Sequence, residues 1–211
     1  MREWKSLNYK VRTPGIWCFE EPIKKVFAAT DAHGNYNYFK GTSMVNEKQG
    51  LLVNLGNSID RGIYGIDILV KNMASPNILQ ILGNHEQLML DFLTEVFRKI
   101  DEEKRELKTE IEFWEYAENL FLPEAARWIG NNGGAPTVKA LRELPFELLE
   151  KIYQYLQQCP LAVEIKVSNQ WYYLIHGSPA KNRYHMLWDE ANPKKQYFKN
   201  DNITLISMSF S

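Results

Sequence analysis

The chain has 211 residues with 25 basic and 26 acidic side chains, so its formal net charge is -1. This balance gives neither the global basic field that favours nucleic-acid binding nor the strong acidity that favours disorder. The hydrophobic content of 45% can support a real core, and the length predicts a single domain over residues 1–211, with room for an inserted subdomain.

The first 23 residues contain a turn signal at Pro14-Gly15, and we expect their aromatic side chains, among them Trp4, Trp17 and Phe19, to cover one edge of the fold. Three apolar runs then follow, and each ends in a turn rich in charge and in metal-binding side chains. The run over residues 25–29 precedes residues 30–34, the run over 51–55 precedes 56–62, and the run over 78–82 precedes 83–86. Turns at the ends of strands are where α/β proteins hold their chemistry.

A helical pattern follows each of the three turns. Helices are predicted over residues 36–48, over residues 62–73 and from residue 87 onwards. The order strand, helix, strand, helix, strand, helix predicts an α/β fold with a mainly parallel sheet covered by helices.

A further helical region follows the third turn. The apolar residues Leu107, Ile111, Trp114, Ala117 and Phe121 recur at steps of three and four, which predicts one helical face that ends near Pro123. Residues 95–135 are therefore a candidate helical cap beside the site. The alternative is a surface hairpin that only packs against the fold.

The rest of the chain predicts a loop, a helix and a second group of strands. Residues 128–137 read as a loop because of Asn131-Asn132-Gly133-Gly134, and residues 144–156 as an amphipathic helix. Residues 161–167 and 171–175 predict a hairpin that ends at His176, and residues 203–208 a last strand. These strands predict a mixed second sheet from the C-terminal half of the chain.

Three motifs in this order resemble those of the calcineurin-type metallophosphoesterases. They are Asp31-x-His33-Gly34, Gly56-Asn57-x-x-Asp60-Arg61-Gly62 and Gly83-Asn84-His85-Glu86. The branch that they resemble most is the serine/threonine phosphoprotein phosphatases of bacteria and phages, of the lambda-phage type. Residues 128–134 and 174–177 are similar to later motifs of that branch. The resemblance implies a layered metallophosphoesterase fold.

The residue types suit the hydrolysis of phosphate esters, which needs an activated water, neutralised phosphoryl oxygens and a proton for the leaving group. Asp31 and His33 alternate along an extended stretch and can reach one metal from the strand end. Asn84 offers an amide oxygen and His176 an imidazole nitrogen to a second metal. Mixed oxygen and nitrogen ligands suit manganese, iron or zinc better than calcium, and we expect one or two divalent ions, manganese first.

The resemblance implies a role for each remaining site residue. Asn57 stands at the position of the ligand that bridges both metals. His85 would be the general acid, Asp60 would orient it, and Arg61 would bind phosphoryl oxygens through its planar fork. The implied reaction is attack of a metal-bound hydroxide on a phosphomonoester, with a phosphorylated protein or a small phosphoester as substrate.

Each site residue also has a structural interpretation. Asp31 could cap a helix, Asp60 and Arg61 could form a surface ion pair, and His176 could be a buried histidine satisfied by the backbone. The ordered set at three strand ends favours the metal site. His185 matches no motif, and we expect it to be structural or exposed.

Four departures from the family pattern weaken the expected site. The family has Asp at the position of Asn57, a Gly at the position of Thr30, and a second phosphate-binding Arg near the position of Glu190. It also has a further metal-binding His after His176, so the chain is expected to lack the C-terminal end of the family fold. Since Asp31 is then the only carboxylate ligand, we expect the second metal to bind weakly or not at all.

Two alternative functions follow from the same motifs. One is a symmetrical dinucleoside tetraphosphatase, and the other is a degenerate relative that binds phosphate without catalysis.

Cys18 and Cys159 make no disulfide framework, residues 1–5 lack the apolar core of a secretion signal, and no apolar run approaches a membrane span. The sequence thus predicts a cytoplasmic protein without nucleic-acid or membrane partners.

Overall fold

The computed structural model describes residues 9–13, 15–47, 50–192, 195–198 and 203–207. Within these ranges the strands are β1 Tyr9–Thr13, β2 Ile16–Ile23, β3 Val26–Ala29, β4 Leu51–Asn54, β5 Ile78–Gln80, β6 Ala162–Val167, β7 Gln170–Ile175 and β8 Ile203–Ile206. The helices are α1 Asn37–Glu47, α2 Gly65–Ala74, α3 Asn84–Glu102, α4 Glu110–Asn119, α5 Pro123–Ala125, a π-helical turn Ala126–Gly130, α6 Ala135–Arg142, α7 Phe146–Gln158 and α8 Arg183–Trp188. None of the helices in the described residues combines the length and the apolar character that a membrane span requires.

The first sheet is parallel, in the order β3-β4-β5, as the sequence predicts. Both faces of β4 are buried, and its first three residues, Leu51, Leu52 and Val53, are accordingly apolar without alternation. Leu52 packs in a cluster with α1 and α2, whereas Leu51 and Val53 pack against the second sheet. Parallel pairing brings the carboxyl ends of the three strands to one edge, and the three polar turns meet there.

The second sheet is mixed, in the order β1-β2-β6-β7-β8, and β6 and β7 form the predicted antiparallel hairpin. The expected α/β class with a parallel and a mixed sheet flanked by helices is confirmed. The N-terminal segment also forms part of this sheet, whereas the sequence prediction assigned it to one edge of the fold. That assignment is wrong for β2, because β2 lies between β1 and β6 with Cys18 and Phe19 buried. Trp4 is outside the described residues.

The helical region after the third turn differs from the prediction of one continuous face. The helix α3 ends at Glu102, and α4 begins only after Thr109, whose hydroxyl accepts the Glu112 N–H at 3.2 Å. The Glu112 carboxylate accepts the Thr109 N–H at 3.2 Å in return, which completes a capping box and marks where α4 begins. Trp114 and Ala117 of the predicted face are buried, but Ile111 is 63% exposed and Phe121, beyond the helix, is 90% exposed, whereas Phe113 is fully buried.

Residues 95–135 take part in the main hydrophobic core. Their buried side chains, Val96, Ile100, Phe113, Trp114, Tyr116, Ala117 and Trp128, share one cluster with side chains of α6, α7 and the second sheet. The division of the chain into a domain with a helical cap stays a prediction. The predicted loop over residues 128–137 is shorter than expected, because Trp128 lies in the π-helical turn and Thr137 in α6.

Backbone contacts between glycines join the three turns at the sheet edge. A Cβ atom on Gly56 would lie 2.3 Å from the Gly83 nitrogen, and one on Gly62 would lie 2.4 Å from the His33 carbonyl oxygen. Side chains are therefore excluded at these positions, and the backbones of the turns lie in direct contact. The His33 N–H donates to the Asn57 carbonyl at 2.8 Å across the same contact.

The Glu86 carboxylate, which is fully buried, ties the second turn to the third. One oxygen accepts the Ser58 N–H at 2.6 Å, and the other accepts the N–H groups of Asn57 at 2.7 Å and of Gly83 at 3.1 Å. Burial raises the pKa of Glu86, and the backbone donors of Asn57 and Ser58 oppose that shift. Three charge-assisted bonds of this kind make Glu86 a fixed element of the site edge.

The variant Glu86→Gln should lower the free energy of unfolding by roughly 2–4 kcal/mol, because an amide NH₂ would face backbone N–H groups that are buried. Denaturant unfolding measures this change. The control is Glu95→Gln on the outer face of α3, where Glu95 pairs with the half-exposed Arg98 and the expected change is below about 0.5 kcal/mol. Equal effects of the two variants would contradict the assigned role of Glu86.

Candidate metal and phosphate site

The predicted site residues occupy strained backbone. Asp31, His33, Asn57, Asp60 and Arg61 all have positive φ, between 41° and 70°. Side chains rarely adopt this left-handed region, and such residues persist only where the surrounding structure imposes them. Here the tight turns at the ends of β3 and β4 impose it on these five residues.

Asp31 and His33 form the first pair of candidate ligands. The His33 Nδ1 atom lies 2.9 Å from the Ile59 carbonyl oxygen, which makes Nδ1 the protonated nitrogen. The Nε2 atom then presents its lone pair, and it lies 3.5 Å from Asp31 Oδ1. The geometry brings a carboxylate oxygen and an imidazole nitrogen together.

Asn84 and His176 form the second pair. Asn84 is in the first turn of α3, because this helix begins three residues earlier than the sequence predicted. The His176 Nδ1 atom lies 2.8 Å from the Leu55 carbonyl oxygen, and its Nε2 atom lies 2.9 Å from Asn84 Oδ1. With the proton on Nδ1, Nε2 directs a lone pair toward an amide oxygen, which is also an acceptor.

Both pairs fit a divalent cation. Atoms 2.9 and 3.5 Å apart are spaced as neighbouring ligands of a cation whose bonds are about 2.0–2.2 Å long. In both histidines a backbone carbonyl fixes the tautomer, which is the usual outer support of a metal-binding imidazole. The described residues contain no group of three or more His, Cys, Asp or Glu side chains that could hold a metal. Any cation here would therefore depend on the Asn84 amide oxygen or on solvent.

The ionisation states of His176 and Asp31 suit metal ligands. Burial lowers the pKa of His176 to about 4, so its imidazole is neutral at pH 7. Burial raises the pKa of Asp31, but hydrogen bonds from His33, when its Nε2 atom also carries a proton, and from Thr30 and Asn57 outweigh burial and lower the pKa to about 2. Asp31 is thus ionised at pH 7, and it brings one negative charge to the site.

Asn57 lies beside Asp31, but its amide group does not present an oxygen to it. Its Nδ2 donates to Asp31 Oδ1 at 2.9 Å, and its Oδ1 accepts the His85 N–H at 3.2 Å. The opposite amide orientation would put two donors together at His85 and two acceptors together at Asp31, so the network fixes this one. Asn57 therefore acts as a hydrogen-bond donor where the family resemblance implies a bridging ligand.

His85 and Asp60 form a buried dyad next to the two pairs. The His85 Nδ1–H donates to Asp60 Oδ2 at 2.7 Å, and the His85 ring lies 4.7 Å from the His33 ring between centroids. Arg61 is exposed, and its guanidinium lies 3.5 Å from His85 Nε2. Asp60 is fully buried, so the alternative of a surface ion pair between Asp60 and Arg61 is wrong.

Sequence reasoning missed several residues that hold this dyad. The Trp128 indole N–H and the Thr137 hydroxyl both donate to the Asp60 carboxylate, and the Gly133 carbonyl accepts the Arg61 N–H at 3.0 Å. Residues 128–134 resembled a family motif, but that resemblance assigned no role. The sequence contained no signal for Thr137.

The structure also places the other residues that depart from the family pattern or match no motif. Glu190 is exposed after the end of α8. His185, exposed as expected, pairs with Asp189 at 2.8 Å. The hydroxyl of Thr30 donates to Asp31 Oδ2 at 2.6 Å and thereby helps to orient this carboxylate.

The comparisons with known proteins found similar solved structures, but no similar sequence family or curated protein. Three similar solved structures are a metallophosphoesterase from Sphaerobacter thermophilus (18% identity, 80% of this chain and 51% of that chain, TM-score 0.40), a hypothetical protein from Pyrococcus horikoshii OT3 (17%, 83% and 61%, 0.43) and a serine/threonine phosphatase from Saccharomyces cerevisiae (14%, 83% and 46%, 0.38).

The chain thus spans between 46% and 61% of the length of these three structures. Two of them carry names from the class that the sequence motifs resemble. Because the TM-scores lie below 0.5, the likeness adds nothing to the geometry of the site.

In EDTA-treated protein the stability should fall as the pH falls from about 6.5 to about 4. The unfolded chain binds a proton at His176 over this window and the native chain does not, so protonation favours unfolding by roughly 3 kcal/mol in total. The measurement is the difference in unfolding free energy between the wild type and His176→Gln at each pH. An exposed control, His185→Gln, should show no such trend, and a flat difference for His176→Gln would contradict the assignment.

Asn57→Asp should increase the number of bound manganese ions per chain. A carboxylate next to Asp31 repels it unless a cation lies between them, and it adds a negative charge that neutralises a second divalent ion. Elemental analysis after dialysis against Mn²⁺ should give at most one ion for the chain as it stands and more for the variant. The control is Asn54→Asp, a change to a buried amide outside the ligand set. Equal stoichiometry in the wild type and Asn57→Asp would contradict the role assigned to Asn57.

Proposed function

We propose that the chain is a metal-dependent phosphoesterase of the serine/threonine phosphoprotein phosphatase type. The single observation that carries the proposal is the convergence of two ligand pairs, Asp31 with His33 and Asn84 with His176, beside the His85–Asp60 dyad. Ligands, a proton carrier and a cationic side chain are the parts that phosphate ester hydrolysis requires.

Each residue has a role in this proposal. The two ligand pairs would hold the divalent cation, which when bound supplies neutralising charge and an activated water. Arg61, at the exposed rim, would bind two phosphoryl oxygens through its guanidinium. Asp60 would hold the His85 imidazole so that Nε2 faces the ester, since Nδ1 is committed to Asp60.

The reaction breaks the bond between phosphorus and the ester oxygen. Water supplies the oxygen that takes its place on phosphorus, and the departing alkoxide takes a proton from His85 Nε2. Because Nδ1–H is bonded to Asp60, His85 donates this proton from its doubly protonated form. The proton that the water loses restores that form, so the products are an alcohol and inorganic phosphate. An alkyl ester such as phosphoserine needs this proton, because an alkoxide is a poor leaving group.

A second candidate function is phosphate binding without turnover. The hydrogen bond between Asn57 and Asp31 favours it, because this bond partly satisfies the only carboxylate of the ligand pairs within the protein itself. In that case Arg61 and a single cation would bind a phosphorylated partner. The symmetrical dinucleoside tetraphosphatase has no observation of its own in its favour, but it shares the chemistry.

Hydrolysis of an aryl phosphate in the presence of Mn²⁺ tests the proposal. The chain as it stands should show activity that EDTA removes, and Asn57→Asp should raise it. His85→Asn should lower it on alkyl phosphates by a factor of about 10²–10⁴, because the proton donor is lost. A phosphoserine peptide and a dinucleoside tetraphosphate, assayed in parallel, separate the two substrate classes.

The outcomes distinguish the candidates. Phosphopeptide binding without turnover in both the wild type and Asn57→Asp would support the binding protein and remove the enzyme. Activity that survives EDTA, or activity on alkyl phosphates that the His85→Asn change leaves undiminished, would contradict the assigned roles.

A further inference from the structure

The Asp60 carboxylate accepts more hydrogen bonds than the His85 dyad requires. Its Oδ2 atom accepts from His85 Nδ1 at 2.7 Å and from Trp128 Nε1 at 3.0 Å. Its Oδ1 atom accepts from the Thr137 hydroxyl at 2.6 Å and from the same indole N–H at 3.1 Å. All three donors surround a carboxylate that is fully buried, so its orientation depends on them.

Thr137 makes two bonds with Asp60, and they close a ring. Its oxygen accepts the Asp60 backbone N–H at 2.9 Å, and its hydroxyl proton then goes to Asp60 Oδ1. A hydroxyl has one proton to donate, so accepting from the backbone and donating to the carboxylate settles its direction. The ring joins the backbone of Asp60 to its own side chain and fixes the rotamer that points Oδ2 at His85.

The backbone at Asp60 needs such support. Its φ of 70° is in the left-handed region, and so is the φ of 63° at Arg61. The segment that carries Thr137 supports both residues, because the Gly133 carbonyl accepts the Arg61 N–H. Gly134 allows the segment to approach, since a Cβ atom there would lie 2.7 Å from Trp128 Nε1.

We propose that Thr137 is a positioning residue, which acts on the leaving group through Asp60 and His85. This inference rests on the proposed function and adds to it a residue from α6, 77 positions away from Asp60 in the chain. The Thr137 hydroxyl holds Oδ2 of Asp60 in line with His85 Nδ1, and this orients the Nε2 proton toward the ester oxygen. Without the hydroxyl, Asp60 can rotate, and proton donation is impaired while phosphate binding by Arg61 is preserved.

Three variants and one matched control isolate the hydroxyl. Thr137→Val keeps the shape and removes the hydroxyl, whereas Thr137→Ser keeps the hydroxyl. Thr137→Cys, a smaller side chain with a weak donor, provides the same test if the valine variant does not fold. The control is Thr42→Val, since Thr42 is equally buried and its hydroxyl donates to Phe39 at 2.9 Å in α1, away from the site.

The first measurement needs no activity. NMR of the EDTA-treated full chain should show a downfield His85 Nδ1–H proton, protected from exchange by its bond to Asp60. This signal should be lost or shifted upfield in Thr137→Val and Thr137→Cys, and kept in Thr137→Ser and Thr42→Val. An unchanged signal in the valine and cysteine variants would overturn the proposal.

The second measurement compares leaving groups in the presence of Mn²⁺. Thr137→Val should lower kcat on a phosphoserine peptide by about tenfold to a hundredfold with KM unchanged, and on dinitrophenyl phosphate by less than about threefold, because dinitrophenolate leaves without a proton. Thr137→Ser should restore kcat. Equal losses on both esters indicate a merely structural role and overturn the proposal. If the wild type hydrolyses neither ester, the proposed function fails, and the NMR comparison alone decides whether Thr137 positions the dyad.

Discussion

The arrangement of the site depends on the buried carboxylate of Glu86, which joins two of the three turns that carry the site residues. Its oxygens accept backbone N–H groups from Asn57, Ser58 and Gly83, so the turn after β4 is held against the turn after β5. Ligands from different strands reach a common point only if these turns keep their places. The parallel pairing of β3, β4 and β5 brings the turns to one edge, and the glycines at their contacts allow the backbones to touch.

Backbone groups also orient the candidate metal ligands. Carbonyl groups of Leu55 and Ile59 take the Nδ1 protons of His176 and His33, which leaves the Nε2 atoms to the site. Asn57 changes the electrostatics of this arrangement. Its NH₂ group binds the Asp31 carboxylate directly, at a position where an aspartate would repel Asp31 in the absence of a cation. The site is therefore stable with less bound positive charge than two divalent ions bring.

The sequence predicted the elements near the site well and the supporting contacts poorly. The parallel strands and the C-terminal hairpin follow from local apolar patterns, and the turns follow from their glycines. The predicted face was wrong at Ile111 and Phe121, because α4 buries Phe113, Trp114 and Ala117 instead of Ile111, and the helix ends at Asn119 before Phe121. The contact of Thr137 with Asp60 spans 77 positions, and a threonine inside a helix has no local pattern that indicates such a partner. Long-range polar contacts of this kind depend on tertiary packing, which no periodicity encodes.

The central claim is that Asp31, His33, Asn84 and His176 present their lone pairs to a divalent cation beside His85. The most direct test is anomalous diffraction from crystals of the full chain soaked in Mn²⁺. We expect an anomalous peak within bonding distance of His176 Nε2 and Asn84 Oδ1, or of His33 Nε2 and Asp31 Oδ1. A saturating soak that leaves both positions without a peak, or that places manganese only elsewhere on the protein, would contradict it.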